Sequence, residues 1–304
     1  MSTWPRDKWT VANATWMHGL GLPKLVAHEL LPACHQAVYA GPLHERFGPN
    51  WLESEWALCD DLKPPCLVFS FGIGNNWQFD LAAAARGCEV HSFDPTPELR
   101  KKHERNVAKY AHAGVKLHFH YLGLGASTNV TSDYGHTGLG PVAHLDELIR
   151  RFANGRRLDV LKADCEGCEW EELSYLATFA PSTLCTVSML EFEWHFTSTL
   201  RFGGTRVARH AFRHLRRHGF HPTVILEGGR NPAKHPHVEA SLAREAASHG
   251  SDLTGICCYT VHLRRDVRHQ HAACAAAGVG RDARKVHGSR DTSHDLAAME
   301  SNVI

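Results

Sequence analysis

The stretch CLVFSFGIGNNWQFDLAAAARGCEVHSFDPTP, residues 66–97, decides the fold. Residues 66–71 are a short apolar run of strand formers, too short for a helix. An alanine-rich segment from Asn75-Asn76 to Ala85 predicts a helix, and residues 89–93 predict a second strand. The stretch therefore predicts a strand, a helix and a second strand in direct succession.

Glycines and an aspartate stand where these elements meet. Gly72 and Gly74 follow the first strand, and a residue without a Cβ lets the backbone turn sharply and approach a ligand. Asp94 ends the second strand, where a nucleotide-binding fold places a carboxylate for ribose hydroxyls. Trp77 stands where a dinucleotide fingerprint has its third glycine, which disfavours pyrophosphate binding. An ordinary strand-turn-helix junction with a capping Asp94 is the plain alternative.

Strands and helices alternate along most of the chain. Such alternation predicts an α/β fold with a mainly parallel sheet and helices on both faces. The predicted strands are 66–71, 89–93, 115–122, 158–164, 183–191, 220–226 and 255–263, and the predicted helices are 75–85, 98–111, 145–152, 168–179, 207–218 and 238–248.

The sequence predicts three regions: a helical extension over residues 1–50, a main domain over 51–264, and a disordered tail over 265–304. The net charge of +1 gives no electrostatic case for nucleic acid. No apolar run is long enough to span a bilayer, and the first residues lack the apolar core of a signal peptide. We expect a soluble chain, with the cytoplasm favoured and a secretory lumen left open.

Ten cysteines and 24 histidines are scattered along the chain. Cys165 and Cys168 form a close pair without a second pair nearby, so a zinc site there is disfavoured. Cys59 and Cys66 can pair in an oxidising compartment, but free buried thiols are the simpler expectation. The dispersed histidines do not indicate a metal-binding histidine protein, and we expect no resident metal.

The carboxyl ends of the strands collect polar residues. Ligands of an open α/β sheet bind at this edge. This edge is predicted to hold the two glycines after strand one, Asp94 after strand two, and Gly123-Leu124-Gly125 after strand three. It is also predicted to hold two groups with carboxylates: Asp164 with Glu166, and Glu191 with Glu193 and His195. Glu169, in the first turn of the next helix, is predicted to be a helix cap.

Residues 160–169, VLKADCEGCE, resemble a motif of FkbM-type methyltransferases, and Leu145-Asp146 resembles the pair that precedes it. The methyltransferase-like 24 branch is more similar still: its pattern matches CLVFSFGIGNNWQFD, GCEVHSFDPT, DVLKADCEGCEW and the Cys257-Cys258 pair. The resemblance covers roughly residues 56–264. It implies a seven-stranded, Rossmann-like class I methyltransferase that uses S-adenosylmethionine.

The resemblance also implies the contacts of that cofactor. Gly72 and Gly74 would approach its methionine and ribose end, Asp94 would bind the ribose hydroxyls, and Asp164 and Glu166 would lie beside its amino-acid end or the acceptor. The full set of expected cofactor-binding residues is Phe71, Gly72, Gly74, Asn75, Asp94, Pro95, Gly123, Leu124, Asp164 and Glu166.

Methyl transfer to a hydroxyl needs alignment and removal of a proton. His195 is a candidate base because the pKa of histidine lies near neutrality, Glu191 is a candidate to orient or replace it, and Asp164 is the third candidate catalytic residue. The predicted function is O-methylation of a small or sugar-like hydroxylated acceptor. A catalytically inactive cofactor- or partner-binding fold and an NAD(P)-dependent oxidoreductase are the alternatives, and the oligomeric state is left open.

Overall fold

A computed structural model describes residues 17, 20–22, 56, 58, 62–111, 114–125, 139–195, 204–227, 240–253, 258–266 and 274. Its strands and helices alternate as the sequence predicts. In chain order they are β1 (Leu67–Phe71), α1 (Gln78–Ala85), β2 (Glu89–Phe93), α2 (Pro97–Ala111), β3 (Leu117–His120), β4 (Gly123–Leu124), β5 (Val142–Ala143), α3 (Leu145–Phe152), β6 (Leu158–Ala163), α4 (Cys168–Phe179), β7 (Val187–His195), α5 (Gly204–Arg217), β8 (Phe220–Glu227), α6 (Ala240–Ser248) and β9 (Cys258–Arg265).

Seven of these strands form one sheet in the order β3-β2-β1-β6-β7-β9-β8. The pairs from β3 to β7 are parallel, and β9 is antiparallel to both of its neighbours. The chain order reverses between β1 and β6, and a ligand cleft forms outside the carboxyl ends of the strands at such a point. The predicted seven-stranded, Rossmann-like class I fold is confirmed.

Apolar side chains cover both faces of the sheet. All five residues of β1 are buried, as expected of a central parallel strand. Alternate residues of this strand belong to different clusters: Phe69 packs in a core with Trp170 and Trp194, whereas Val68 packs in a second core with Trp77. Alternate side chains of β1 therefore pack into one core or the other.

Three predicted boundaries are wrong in ways that affect the site. Helix α1 begins at Gln78, because the side chain of Asn76 accepts the Gln78 amide hydrogen and closes a turn ahead of the helix. The predicted strand from Thr183 starts as a 3₁₀ turn, and β7 begins only at Val187. Strand β7 then continues to His195, so this residue lies within a buried strand.

The predicted third strand is shorter than expected and is followed by a second, small sheet. Strand β3 ends at His120, and Gly123-Leu124 then pair in parallel with Val142-Ala143. A Cβ on Gly123 would lie 2.7 Å from Cγ of Pro95, so only glycine allows this close approach. The small sheet places Gly123 and Leu124 beside the end of β2.

The expectation of free thiols is wrong for the cysteines of the described region. Disulfides join Cys66 to Cys88, Cys165 to Cys168, and Cys185 to Cys274, with Cα–Cα distances of 4.5, 5.3 and 5.5 Å. These Cα separations lie within the range that a disulfide can bridge. Sequence spacing does not reveal the pairs, because two of them join residues brought together only by the sheet and its flanking turns. Cys59 lies outside the described residues.

Most of the predicted extension over 1–50 and tail over 265–304 lies outside the described residues. Of the extension, Met17, Leu20 and Leu22 are buried in the larger core. No helix in the part of the chain that the structure describes is long and apolar enough to cross a membrane.

Candidate active site

A cavity of about 370 Å³ opens at the carboxyl ends of β1, β2 and β6. Its volume falls in the usual range for small-molecule pockets, about 300–1,000 Å³. The structure brings all ten of the expected cofactor-binding residues to its lining: Phe71, Gly72, Gly74, Asn75, Asp94, Pro95, Gly123, Leu124, Asp164 and Glu166. The reversal of strand order places the cavity where the topology predicts it.

The glycine turn after β1 forms one wall of the cavity. Gly72 has φ +70°, and a Cβ at this position would lie 1.6 Å from the carbonyl oxygen of Asp164. Gly74 has φ +54°, but a Cβ there would meet nothing within 4 Å. Gly72 is therefore required by the packing of two backbone segments, whereas Gly74 lines the cavity and has open space at its Cβ position.

Asp94 is 2% exposed and is held by donors on three sides. Its Oδ2 accepts a hydrogen bond from the Gly74 amide at 2.8 Å, and its Oδ1 accepts one from the Thr96 amide at 2.9 Å. His103 Nε2 lies 3.5 Å from Oδ2. Burial alone would raise the pKa of Asp94, but hydrogen bonds from His103, Thr96 and Gly74 outweigh it and hold the pKa below its usual value.

Trp77 acts on this aspartate through a histidine. Its indole Nε1 donates to His103 Nδ1 at 3.1 Å, so Nδ1 must be the unprotonated nitrogen of that ring. A neutral His103 then carries its hydrogen on Nε2, the atom that faces Asp94. Trp77, which stands at the third glycine position of the dinucleotide fingerprint, thus fixes the tautomer of His103. The Nε2–H of His103 then faces the Asp94 carboxylate.

Lys162 supports the glycine turn from the neighbouring strand. This residue is 4% exposed, and its Nζ donates to the carbonyl oxygens of Phe71 at 3.1 Å and Gly72 at 2.7 Å. The ammonium also lies 4.5 Å from the ring centroid of Trp56 and 3.8 Å from Asp164 Oδ2. A cation within a buried apolar strand was a visible signal in the sequence, and our prediction missed it.

Glu166 reaches the cavity from a constrained loop between β6 and α4. It has φ +60°, a left-handed conformation that costs a side-chain-bearing residue roughly 1–2 kcal/mol. The Cys165–Cys168 disulfide closes a short ring around Glu166 and Gly167, and both cysteines line the cavity. The ring fixes the direction in which the Glu166 carboxylate points.

His195 is bound by carboxylates at both ring nitrogens. Its Nδ1 lies 3.1 Å from Glu169 Oε1, and its Nε2 lies 3.3 Å from Glu166 Oε2 and 3.9 Å from Asp164 Oδ1. Its backbone amide also donates to Glu169 Oε1 at 2.8 Å. The ring therefore lies directly behind the carboxylates of the cavity wall, with only 5% of the residue exposed.

The protonation state of His195 follows from these contacts. Burial by itself lowers the pKa of His195, but the charges of Glu166, Glu169 and Glu193 outweigh burial and raise the pKa well above its usual value. Burial raises the pKa of the neighbouring Glu193 well above the ordinary range, and the charge of Asp164 adds to the shift. At neutral pH His195 is thus an imidazolium, with a carboxylate facing each of its ring nitrogens.

The structure changes the predicted roles of Glu169 and Glu191. Glu169 does act at the start of α4, since its Oε2 accepts the Gly167 amide hydrogen at 3.0 Å, but the same side chain also holds His195. Glu191 is 1% exposed and its Oε1 lies 3.1 Å from His262 Nε2. The structure therefore places Glu169, and not Glu191, as the partner that orients His195.

The cavity suits the chemistry of S-adenosylmethionine. This cofactor carries a sulfonium and an ammonium, and four carboxylates line the cavity: Asp94, Asp164, Glu166 and Glu171. Asp94 lines the cavity, so a ribose hydroxyl can donate to its carboxylate. The open space next to Gly74 leaves room for the ligand against the backbone.

Comparisons with known proteins identify the family of the chain. The model of a family described as a methyltransferase domain matches residues 32–198, which is more than half of the chain. The chain is 29% identical to the probable methyltransferase-like protein 24 of Homo sapiens over 155 residues, and 29% identical to that of Rattus norvegicus over 146 residues. These matches cover 46% and 47% of this chain but only 38% and 37% of the relatives, so the chain spans less than two fifths of their length.

Among solved structures, the S-adenosylmethionine-dependent methyltransferase from Agrobacterium tumefaciens is similar with a TM-score of 0.31 and 10% identity. The similarity covers 66% of this chain and 56% of that protein. The family match confirms the predicted methyltransferase class and, with it, S-adenosylmethionine as the cofactor. The chain belongs to this methyltransferase domain family.

Proposed function

We propose that the protein transfers a methyl group from S-adenosylmethionine to an oxygen of a small hydroxylated acceptor, and that Glu166 is the base. The observation that carries this proposal is the position of Glu166 between the cavity and His195. The bound cofactor would supply an activated methyl on its sulfonium. The residues of the chain would then bind, orient and accept a proton.

The proton has a defined path. With the methyl group supplied by the bound cofactor to the acceptor oxygen, the hydroxyl proton of the acceptor would pass to the Glu166 carboxylate. His195 is already protonated and cannot be the base, but its Nε2–H points at Glu166 and holds the carboxylate in place. Glu169 fixes the other ring nitrogen, so His195 and Glu169 are positioning residues.

The remaining groups divide between cofactor and acceptor. Asp94 would bind the ribose hydroxyls, with Gly74 leaving room beside them. Asp164 borders the cavity on the same side as Glu166 and would bind the ammonium of the cofactor. The expectation of a sugar-like acceptor remains part of the proposal, and it rests on the FkbM resemblance.

The test is methyl transfer from radiolabelled S-adenosylmethionine to a panel of sugars and other small hydroxylated compounds. Glu166→Gln keeps the shape of the side chain but removes the base, so we expect the turnover to fall by roughly 10²–10⁴-fold while cofactor affinity stays within a few-fold of the wild type. Glu104→Gln, in an exposed pair with Arg100, is the control and should keep its activity.

Two results would contradict the proposal. A Glu166→Gln variant with wild-type turnover would remove this residue from the reaction. Cofactor binding by the wild type without transfer to any oxygen acceptor would instead support a catalytically inactive, cofactor-binding fold.

A further inference from the structure

A second cluster of ionisable side chains lies outside the active site, on the strand pair β2 and β3. Glu89 and His91 are two residues apart on β2 and so project from the same face. His118 pairs with His91 in register across the sheet, which puts it on that face as well. Residues dispersed in the sequence are thus brought together by parallel strand pairing.

The three side chains converge on one point. His91 Nε2 lies 3.1 Å from Glu89 Oε1, and His118 Nε2 lies 3.8 Å from the same oxygen. One ligand atom from each residue lies within 4.8 Å of the others. A tetrahedral zinc ion with bonds of about 2.0–2.1 Å separates its ligand atoms by roughly 3.3–3.4 Å, and the two distances bracket that value.

The outer contacts of the cluster match those of a metal site. Arg156 Nη2 donates to Glu89 Oε2 at 2.8 Å, which orients the carboxylate and leaves Oε1 directed toward the histidines. His91 Nδ1 lies 2.9 Å from His120 Nε2, so a hydrogen bond at this nitrogen can hold Nε2 on a metal. Ligating histidines and carboxylates usually have such partners.

Access to the cluster agrees with the same assignment. His91 is 6% exposed, but the side chain of His118 is 49% exposed, which provides an entry path and room for a water ligand.

We propose that Glu89, His91 and His118 form a binding site for Zn²⁺, with water as the fourth ligand. The site is separate from the cofactor cavity, since none of the three residues lines it and His91 lies about 10 Å along β2 from Asp94, at ~3.3 Å per residue. The ion would tie the edge strand β3 to β2. The inference does not depend on the proposed methyl transfer.

The experiment is a titration of the metal-free full-length chain with ZnCl₂ in competition with a chromophoric chelator. No thiol reductant is added, so that the disulfides stay closed and do not supply zinc ligands. The variants are His118→Gln, whose side chain is half exposed and whose loss should leave the fold intact, and Glu89→Gln. The control is His249→Gln, because His249 Nε2 lies 3.6 Å from Glu245 Oε1 at similar exposure but has no second histidine in that ion pair.

We expect wild type and His249→Gln to bind zinc equally. Loss of a ligand should cost at least as much as loss of an outer partner, so each of the other two variants should bind at the site at least about tenfold more weakly. Zinc should also raise the thermal unfolding midpoint of wild type and His249→Gln more than that of His118→Gln. Equal stoichiometry and affinity in all four proteins, or no zinc binding by the folded wild type, would overturn the proposal.

Discussion

Replacing the two glycines of the turn after β1 by alanine should have opposite consequences. At Gly72, the new Cβ would lie 1.6 Å from the carbonyl oxygen of Asp164, although real Cβ contacts essentially never fall under 3.0 Å. This neighbour is backbone, so the turn or β6 would have to move. We expect Gly72→Ala to lose at least about 4 kcal/mol of unfolding free energy, at the upper end for a single substitution.

At Gly74, the same substitution meets no atom within 4 Å. Only the left-handed backbone is unfavourable, at roughly 1–2 kcal/mol for a residue with a Cβ. Gly74→Ala should therefore fold. Gly74 lines the cavity and its amide donates to Asp94, so we expect an added methyl group to lower the affinity for S-adenosylmethionine about tenfold or more, which corresponds to ~1.4 kcal/mol.

The assays are urea unfolding for stability and isothermal titration with S-adenosylmethionine for binding. Gly155→Ala is the matched control, because Gly155 also has a positive φ of +73° and open space around its Cβ position, but lies away from the cavity. It should lose as much stability as Gly74→Ala and bind the cofactor like the wild type. Equal stability of Gly72→Ala and Gly155→Ala would refute the close approach to Asp164, and wild-type binding by Gly74→Ala would refute its place at the cofactor.

Two further predictions concern pH and a disulfide. The hydrogen bond to Glu172 raises the pKa of His144, so the stabilising contribution of this residue is complete below the unfolded-state pKa of about 6.5 and is lost as the pH rises through the folded-state pKa. The difference in unfolding free energy between wild type and His144→Gln should therefore shrink over that pH interval. A difference that stays constant with pH would contradict this prediction. Cys274→Ser opens a disulfide that links residues 89 apart, and the chain-entropy model gives about 4.6 kcal/mol for the stabilisation by such a disulfide. Urea unfolding should show a loss of unfolding free energy of that order. A loss under ~1 kcal/mol would contradict this prediction.

The class of fold could be predicted because its signals are local. Short apolar runs between Gly, Pro and polar turns indicate buried parallel strands, and the sheet contains a strand from each of the seven predicted segments. The boundaries were less predictable where a local hydrogen bond competes with the regular element. Asn76 delays the start of α1 in this way, and a 3₁₀ turn over Thr183–Thr186 delays β7.

The lining of the cavity could also be predicted, because parallel strands present their carboxyl ends at one edge of the sheet. What the sequence did not reveal is which side chain touches which. Glu191 and His195 both lie at the carboxyl end of the predicted strand 183–191, which suggested a pair, but helix α4 brings Glu169 to His195 instead. The same helix and its disulfide ring direct Glu166 toward the cavity.

The sequence by itself determined the alternation of strands and helices, the glycine turn with Asp94, and the methyltransferase class, because each depends on residues close together in the chain. Only the tertiary structure decided the protonation of His195, the disulfide pairs and the convergence of His91 with His118. Each of these depends on distances between residues far apart in sequence, and a pKa or a ligand set is determined by those distances and by burial.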